Sequence, residues 1–379
     1  MYCPNCGIKV TQEAKFCPSC GIKLIQEEDV FRQDAGQTQS AATEDAGKTI
    51  PDQMRSTFLH ATERINGLVG EKGNIDLNLR DIFSSVFKKH SKEEGEILFI
   101  SGTSLTTPGE EEISTSWPKP WLFSRIFLIL AVTYLFLYVC TYMFHNPNAL
   151  PGLIVVGSFV VPFSLLIFFW EMNAPRNLSI YEIAKMFFIG GTASLVTTLI
   201  LFSIVPVYNL NVGGAIIVGV VEEVGKLVII LYFIKKLNPK YILNGLLIGA
   251  AIGAGFAAFE SAGYAFRFGT MNGTDFMLSV MFDRAWMSIG THVSWAAITG
   301  AALVYVKKAE PLKGEHLTDA KFLKLFAVPV ILHSVWDMPL YLFQVFNLMY
   351  IVLIIIAWIF IFTLIHAGLK QIVRLNVGQ

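Results

Sequence analysis

A cluster of seven ionisable residues lies inside apolar stretches in the C-terminal half of this 379-residue sequence. An ionisable side chain at the centre of a membrane-spanning helix costs roughly 2.5–3.5 kcal/mol on insertion scales, so such residues are candidate functional groups by default. Carboxylates and imidazoles are also the groups that orient a water molecule, accept its proton or hold a metal ion. The set therefore suits hydrolytic chemistry. Its members are Glu222, Glu223, Lys226, Glu260, His292, His333 and Asp337.

The spacing of these residues predicts which of them share a helix face. Glu222 and Glu223 precede Lys226 by four and three residues, so one glutamate is expected to be ion-paired and the other free. His333 and Asp337 are four apart, and Asp337 is expected to fix the tautomer of the imidazole or raise its basicity. At about 1.5 Å per helical residue, the acidic and imidazole groups all lie roughly 9–17 Å below one membrane face. One aqueous cavity can therefore hold them.

The elements that position these residues are predicted to be transmembrane helices. The sequence is 54% hydrophobic and only 15% charged, whereas about a quarter of the residues of a typical soluble protein are charged. Apolar runs of the length that crosses a bilayer predict an all-α polytopic membrane protein with about eight transmembrane helices. The predicted spans are 124–144, 151–170, 184–205, 212–234, 243–266, 285–306, 323–343 and 346–368.

Charge placement predicts the topology. The N-terminus lacks the pattern of a signal peptide and is expected to stay in the cytoplasm. Basic residues then accumulate on the cytoplasmic flanks of the spans, and the outer loops after the first span carry only Arg267 and Arg284. Both termini are therefore predicted to be cytoplasmic. A net charge of zero gives no basic footprint, so no nucleic-acid partner is expected. The cytoplasmic basic residues are Arg176, Lys185, Lys235, Lys236, Lys240, Lys307, Lys308, Lys313, Lys321, Lys324, Lys370 and Arg374.

Four cysteines at the N-terminus predict a structural zinc site. Cys3-x2-Cys6 and Cys17-x2-Cys20 supply four thiolates, which close a tetrahedral coordination shell and fold the segment around the metal. Residues 1–24 resemble the short zinc ribbons that precede many prokaryotic membrane proteins. The ribbon is expected to bind a cytoplasmic protein partner or to regulate the membrane domain.

The segments between the ribbon and the first span carry weaker signals. Residues 25–55 have few large apolar groups and are predicted to form a disordered linker. Residues 56–117 are predicted to be a weakly structured cytoplasmic or membrane-surface segment. Within it, 97–100 is compatible with a short strand or with a position on the membrane surface. The remaining 118–379 form the predicted membrane domain.

Four ordered motifs in the membrane domain resemble those of the PrsW family of intramembrane proteases. They are Glu222-Glu223-x2-Lys226, Phe256-x3-Glu260, His292, and His333-x3-Asp337, with Arg284 ahead of the third motif. The resemblance covers about residues 120–368 and implies a location in the plasma membrane of a prokaryote. It implies catalytic roles for the two histidines and the four acidic residues, and supporting roles for Lys226, Phe256 and Arg284. The wider superfamily of CAAX proteases and bacteriocin-processing proteins often has His in the second motif and Asn in the fourth, so Glu260 and Asp337 favour the PrsW branch.

Two mechanisms remain open for the activity that this resemblance implies, an intramembrane endopeptidase acting on membrane-associated proteins. In a glutamic mechanism, Glu222 is the base, with Glu260 as a second candidate, and the histidines orient water or stabilise the oxyanion. In a metal-dependent mechanism, Glu222, His292 and His333 are the metal ligands. The sequence lacks a His-Glu-x-x-His motif, which favours the glutamic form.

Two other classes of function fit some of the same residues. Intramembrane carboxylates, lysines and histidines also serve ion-coupled transporters, although no inverted repeat or pair of broken helices is visible in the sequence. A catalytically silent scaffold would use the same groups to hold helices together. For a protease, the resemblance further implies a membrane-spanning substrate such as an anti-sigma factor or a similar regulator.

Overall fold

A computed structural model describes residues 50–73, 75, 77–340 and 347–377, and these residues contain helices and no strands. The predicted all-α class is therefore confirmed for the described part of the chain. The zinc ribbon and residues 25–49 of the predicted linker lie outside it. The helices are α1 (Ile50–Leu68), α2 (Leu79–Ile82), α3 (Lys92–Phe99), α4 (Leu122–Tyr142), α5 (Leu150–Met172), α6 (Ile180–Lys185), α7 (Gly191–Ile204), α8 (Val212–Leu237), α9 (Ile242–Asn272), α10 (Thr274–Met287), α11 (His292–Lys307), α12 (Glu315–Thr318), α13 (Ala320–Asp337) and α14 (Leu348–Val377).

Six helical stretches of the described chain are long and apolar enough to cross a membrane, so the predicted count of about eight is not confirmed. The two predicted spans that do not qualify are α8 and α13. Glu222, Glu223 and Lys226 interrupt the apolar surface of α8, and α13 is only 18 residues long and carries three charged residues. The six stretches are Leu122–Tyr142, Pro147–Met172, Ile180–Ile204, Ile242–Asn272, Thr274–Lys307 and Leu348–Asn376.

The helices of the membrane domain run alternately between two ends of a bundle. We call the end where α4 begins and α14 finishes the proximal end, and the opposite one the distal end. The ring of Trp117, just before α4, lies 6.3 Å from that of Phe362 of α14, and Gln371 of α14 accepts a hydrogen bond from the main-chain N–H of Ile242 at the start of α9. At the distal end, Asn211 caps α8 by accepting a hydrogen bond from the main-chain N–H of Gly214.

Helices α9 and α11 form the centre of the bundle. A Cβ atom at Gly249 would lie 1.9 Å from the carbonyl oxygen of Ala296, and one at Gly245 would lie 2.4 Å from that of Gly300. Only glycine permits this backbone approach, which provides close van der Waals packing between helices in a bilayer. Accordingly, 94% of the residues in the most apolar part of the stretch Ile242–Asn272 are buried. This central pair provides a rigid base for the residues that it carries.

The predicted span 285–306 is interrupted in the structure. Helix α10 ends at Met287, a 3-10 turn covers Ser288–Gly290, and α11 begins at His292. Gly290 packs so closely on α14 that a Cβ atom there would lie 2.8 Å from the Cα of Ile354. The break therefore places His292 in the first turn of a new helix, rather than within one continuous span as the sequence predicted.

The segment before α4 is helical and packs on the proximal end. Helix α1 begins at Ile50, inside the predicted linker, and residues 97–100 lie in the end of α3 and the turn after it rather than in a strand. The ring of His90 stacks on Trp121 with 3.9 Å between centroids, and Arg374 pairs with Glu71 at 2.7 Å. The predicted membrane-surface segment therefore lies against the ends of α4 and α14.

Candidate active site

A cavity of about 250 Å³ in the distal half of the bundle is lined by side chains from six helices, α7, α8, α9, α10, α11 and α13. Helices α8, α9, α11 and α13 contribute the residues of the four sequence motifs, and α10 contributes a guanidinium group. The structure thus brings together residues that are more than 100 positions apart in the chain. The ionisable residues that line the cavity are Glu222, Glu260, Arg284, His292, His333 and Asp337.

Lys226 lies behind the cavity and is completely buried. Its ammonium group donates to Glu223 Oε1 at 2.7 Å and to His292 Nδ1 at 2.9 Å, and it lies 4.6 Å from the centroid of the Phe256 ring. Because an ammonium group has only donors, Nδ1 of His292 accepts and Nε2 carries the proton. That proton is directed at Glu260 Oε2, 3.1 Å away. Lys226 therefore determines the tautomer of His292.

His333 is oriented by Glu223, the carboxylate that also accepts a hydrogen bond from Lys226. Its Nδ1 lies 2.8 Å from Glu223 Oε1 and donates to this carboxylate, which leaves the Nε2 lone pair facing the cavity. The ring also stacks on Trp295 with 4.5 Å between centroids. The expectation that Asp337 fixes this tautomer differs from the structure, because Asp337 is 3.6 Å from Nε2 and Glu223 occupies Nδ1. Asp337 is the last residue of α13, where its carboxylate reaches the cavity instead.

Three hydrogen-bond acceptors face one another across the cavity. Nε2 of His333 is 3.6 Å from Glu222 Oε2 and 3.6 Å from Asp337 Oδ2. Glu222 Oε2 is buried and has no hydrogen-bond partner among the described residues. A buried acceptor without a donor is unfavourable by about 1–3 kcal/mol, so this gap requires a shared proton, a water molecule or a cation.

Glu222, His292 and His333 form a set that fits a metal ion. One possible ligand atom from each lies within 4.8 Å of the others. Two imidazoles and a carboxylate are suitable zinc ligands and leave a fourth position for water. Four carboxylates also outnumber the two cationic side chains of the site, and this excess of negative charge favours a divalent cation. Lys226 holds Nδ1 of His292, so a metal at that atom would share it with, or displace, the ammonium group.

Arg284 attaches α10 to the site. Its guanidinium group donates to the carboxylate of Glu260 and, through Nε, to Ser261 Oγ at 3.0 Å. It also lies 4.3 Å from the centroid of the Tyr264 ring. Sequence reasoning identified Arg284 but missed Ser261, Tyr264 and Trp295. Helical spacing was the available signal for two of them, since Tyr264 is four positions from Glu260 and Trp295 three positions from His292 on the same helix faces, whereas no such spacing pointed to Ser261.

Comparisons with known proteins cover the same parts of the chain as the sequence motifs. Residues 179–365 match a family described as PrsW family intramembrane metalloprotease, and residues 2–24 match a zinc-ribbon domain. The protein named Protease PrsW from Clostridioides difficile (strain 630) is 26% identical over 201 residues, which cover 50% of this chain and 81% of that protein. No solved structure matches the chain.

Proposed function

We propose that the distal cavity hydrolyses a peptide bond of a membrane-spanning protein, because residues 179–365 of this chain belong to the PrsW family of intramembrane proteases. The observation that carries this proposal is the group of three facing acceptors, His333 Nε2, Glu222 Oε2 and Asp337 Oδ2. A cation bound by Glu222 and His333, together with a hydrolytic water that donates a proton to Asp337, would satisfy all three acceptors. The cavity also provides a polar space, lined by six ionisable side chains, of the kind that chemistry within a bilayer requires.

The side chains around this water have different capacities to accept its proton. Glu260 already accepts hydrogen bonds from Arg284 and His292 through the same oxygen. Among the described residues, the carboxylate of Asp337 forms an ion pair only with His333, at 3.6 Å. We therefore assign Asp337 the role of proton acceptor. Glu223 then holds the imidazole of His333 in a fixed tautomer without touching the substrate, and Lys226 does the same for His292 until a metal displaces it from Nδ1. Arg284 supplies positive charge at the cavity wall beside the scissile carbonyl.

We assign Glu222, His292 and His333 as the ligands of a catalytic metal. A divalent metal at this position would polarise the scissile carbonyl and lower the pKa of the attacking water. The alternative is a metal-free reaction in which Glu222 is the base. Thorough chelation distinguishes the two: lost activity that zinc restores supports the metal assignment, and full activity after chelation contradicts it.

Metal content provides a readout that does not depend on activity. The wild-type protein is expected to hold one metal ion in the ribbon and a second in the cavity. His333→Ala should lose the second ion only, while Cys17→Ser should lose the first only. Elemental analysis of the purified proteins measures both. An unchanged metal content in His333→Ala would remove His333 from the ligand set.

The proteolytic function is tested by comparing membrane proteomes of cells that contain the wild-type protein or Glu222→Gln. A truncated single-span protein should accumulate only with the wild type. Glu96→Gln, a substitution at an exposed glutamate of α3, is the matched control and should behave as the wild type. The absence of any difference between wild type and Glu222→Gln would contradict the proposal. An anti-sigma factor or a similar regulator is the candidate substrate that the family resemblance implies.

The topology that we propose places the proximal end of the bundle and both chain termini in the cytoplasm of a prokaryotic cell. It is supported by the basic residues near the proximal ends of the helices, such as Lys185, Lys236, Lys307 and Lys370. A reporter fused after Gln379 should be active only in a cytoplasmic form. Deletion of the ribbon should abolish binding of a cytoplasmic partner while the membrane domain stays folded.

A further inference from the structure

A second cavity, of about 300 Å³, lies on the side of the bundle that faces the bilayer. Helices α4, α5 and α10 form it, and we call it the lateral groove. Its floor is made of small residues, Ala131, Gly157 and Ala285, while Phe127 and Phe282 flank it with rings that are 45% and 70% exposed. In the most apolar part of helix α4, which forms one wall, only 6% of the residues are buried. The groove is therefore accessible to molecules within the membrane.

The lateral groove leads toward the candidate active site. A narrow seam between α5, α9 and α10 shares Gly157, Met281 and Ala285 with the groove, and shares Ser261 and Arg284 with the catalytic cavity. The seam has no room for a water molecule in this structure. Groove, seam and cavity are thus three consecutive spaces along one direction, closed at the middle one.

Met281 closes the seam. Its terminal methyl group occupies the place where a side chain at Gly157 would begin, 2.0 Å from the position of a Cβ atom there. Methionine is unbranched and has three rotatable bonds, so it can leave this position without strain in the surrounding helices.

Helix α10, which carries Met281, is bounded by flexible geometry at both ends. Gly273 precedes it with a φ of +90°, and the 3-10 turn Ser288–Gly290 follows it. Only two of its residues, Met277 and Met281, are buried. A short helix between two such points, with few buried contacts, is the kind of element that opens at low energetic cost.

The two donors of Arg284 hold α10 against the site. They bind Glu260 and Ser261 on α9, and Glu260 in turn accepts the Nε2 proton of His292. Displacement of α10 away from α9 therefore breaks a hydrogen bond to the carboxylate that orients His292. Occupancy of the groove and the geometry of the active site are connected through this one side chain.

We propose that the lateral groove is the docking site for the transmembrane helix of the substrate, which passes from the bilayer through the seam when α10 moves. The proposal rests on the proposed proteolytic function for its substrate class. Ala131 and Ala285 of the groove floor are small enough to let a helix backbone approach closely, as helix pairs in membranes require, and Gly157 becomes accessible once Met281 and Tyr134 move away from it. The eight residues from Phe127 to Tyr134 on α4 correspond to about two helical turns of contact.

The test uses photo-crosslinking in the full chain carrying Glu222→Gln, so that no hydrolysis is needed. The photoreactive residue p-benzoyl-phenylalanine replaces Ala285 in the groove or, as a control, Leu135, which faces the bilayer on α4 outside it. The probe is a biotinylated synthetic peptide with one apolar helix of about 20 residues and a central Gly-Pro step, in vesicles of phosphatidylcholine and phosphatidylglycerol. Position 285 should label the peptide about fivefold more than position 135.

A matched pair of substitutions sharpens the result. Ala131→Trp fills the groove and should reduce labelling from position 285 to the level of the control position. Val132→Trp adds the same side chain on the next residue of α4, outside the groove, and should leave labelling unchanged. Equal peptide labelling from positions 285 and 135, or labelling of lipid alone from position 285, would overturn the docking proposal. If wild-type cells show truncation of a cellular protein but the peptide is not labelled, only the docking proposal is overturned. If the peptide is labelled but no cellular protein is truncated, only the proteolytic function is contradicted.

Discussion

Two sets of buried polar groups in the membrane domain are satisfied in different ways. At the proximal end, Glu171 accepts hydrogen bonds of 2.8 Å from three consecutive main-chain N–H groups at the start of α4. Lys307 donates to Asn238 and to two main-chain carbonyl groups, and Asn244 donates to Asn173 and Asn177. In the distal cavity, ionisable side chains bind one another, and buried oxygens of Glu222 and Glu223 have no partner among the described residues.

This difference in hydrogen bonding distinguishes polar groups that stabilise the fold from polar groups that are available to bind a ligand. Main-chain groups at a helix terminus need partners in a bilayer, and the proximal side chains provide them. Side chains in the cavity do not satisfy main-chain groups, so they contribute little to the stability of the helices. Their unused acceptor atoms can bind water, a metal ion or the substrate. The proximal set should therefore respond to substitution by loss of stability, and the cavity set by loss of activity.

The largest effect is expected for Glu222→Gln. The amide keeps the size of the side chain but removes the negative charge that faces His333, so peptide cleavage should fall by about a thousandfold, or about 4 kcal/mol of transition-state stabilisation. The melting temperature should stay within about 1 °C of the wild type, since no hydrogen bond to the fold is lost. A comparable loss of activity and of melting temperature would place Glu222 with the proximal set.

The opposite outcome is expected for Glu171→Ala. Removal of this carboxylate leaves three main-chain N–H groups of α4 without their acceptor, which should lower the free energy of unfolding by about 3 kcal/mol. Thermal unfolding in detergent micelles measures the change. Glu171→Gln retains Oε1, which accepts two of the three bonds, and should lose about half as much. Full stability of Glu171→Ala with impaired cleavage would reverse the assignment.

Arg284→Lys should have a smaller effect, because it keeps the charge but cannot donate to both Glu260 and Ser261 in the same geometry. We expect kcat to fall about tenfold, or about 1.4 kcal/mol, because His292 loses its fixed orientation. Arg267→Lys, at the distal end of α9, is the control and should leave kcat unchanged. A change in KM without a change in kcat would show that Arg284 contacts the substrate instead of positioning Glu260.

Much of the scaffold followed from the sequence. The predicted bounds of the first five spans lie within about four residues of the helical stretches Leu122–Tyr142, Leu150–Met172, Ile180–Ile204, Val212–Leu237 and Ile242–Asn272, except that the last stretch extends six residues further, because long apolar runs are strong signals. The comparisons match residues 2–24 to a zinc-ribbon domain and residues 179–365 to the PrsW family, as the sequence motifs predicted. Hydropathy did not reveal the break after Met287, since the 3-10 turn is as apolar as the helices that it joins.

The partners within the site were less predictable than its members. Spacing identified Asp337 as the neighbour of His333, but Glu223, which is 110 residues away in sequence, binds its Nδ1 in the structure. Contacts between helices depend on their rotation and on packing such as that of Gly249 on Ala296, and neither is encoded in a local pattern. The roles assigned to individual site residues therefore stay predictions until the variants above are measured.

The smallest effect is expected for an exposed ion pair at the proximal end, where Lys240 binds Glu110. Burial lowers the pKa of Lys240, but its hydrogen bonds to Glu110 and Tyr241 raise it more, so the pKa lies above its ordinary value. A raised lysine pKa stabilises the fold below the unfolded value of about 10.4, and this contribution is lost as the pH rises above it. Glu110→Gln should therefore lower stability by at most about 0.5 kcal/mol at pH 8, and by progressively less as the pH rises through the raised pKa of Lys240. A loss at pH 8 as large as that of Glu171→Ala would show that the charge of a proximal group, rather than its bonds to the main chain, stabilises the fold.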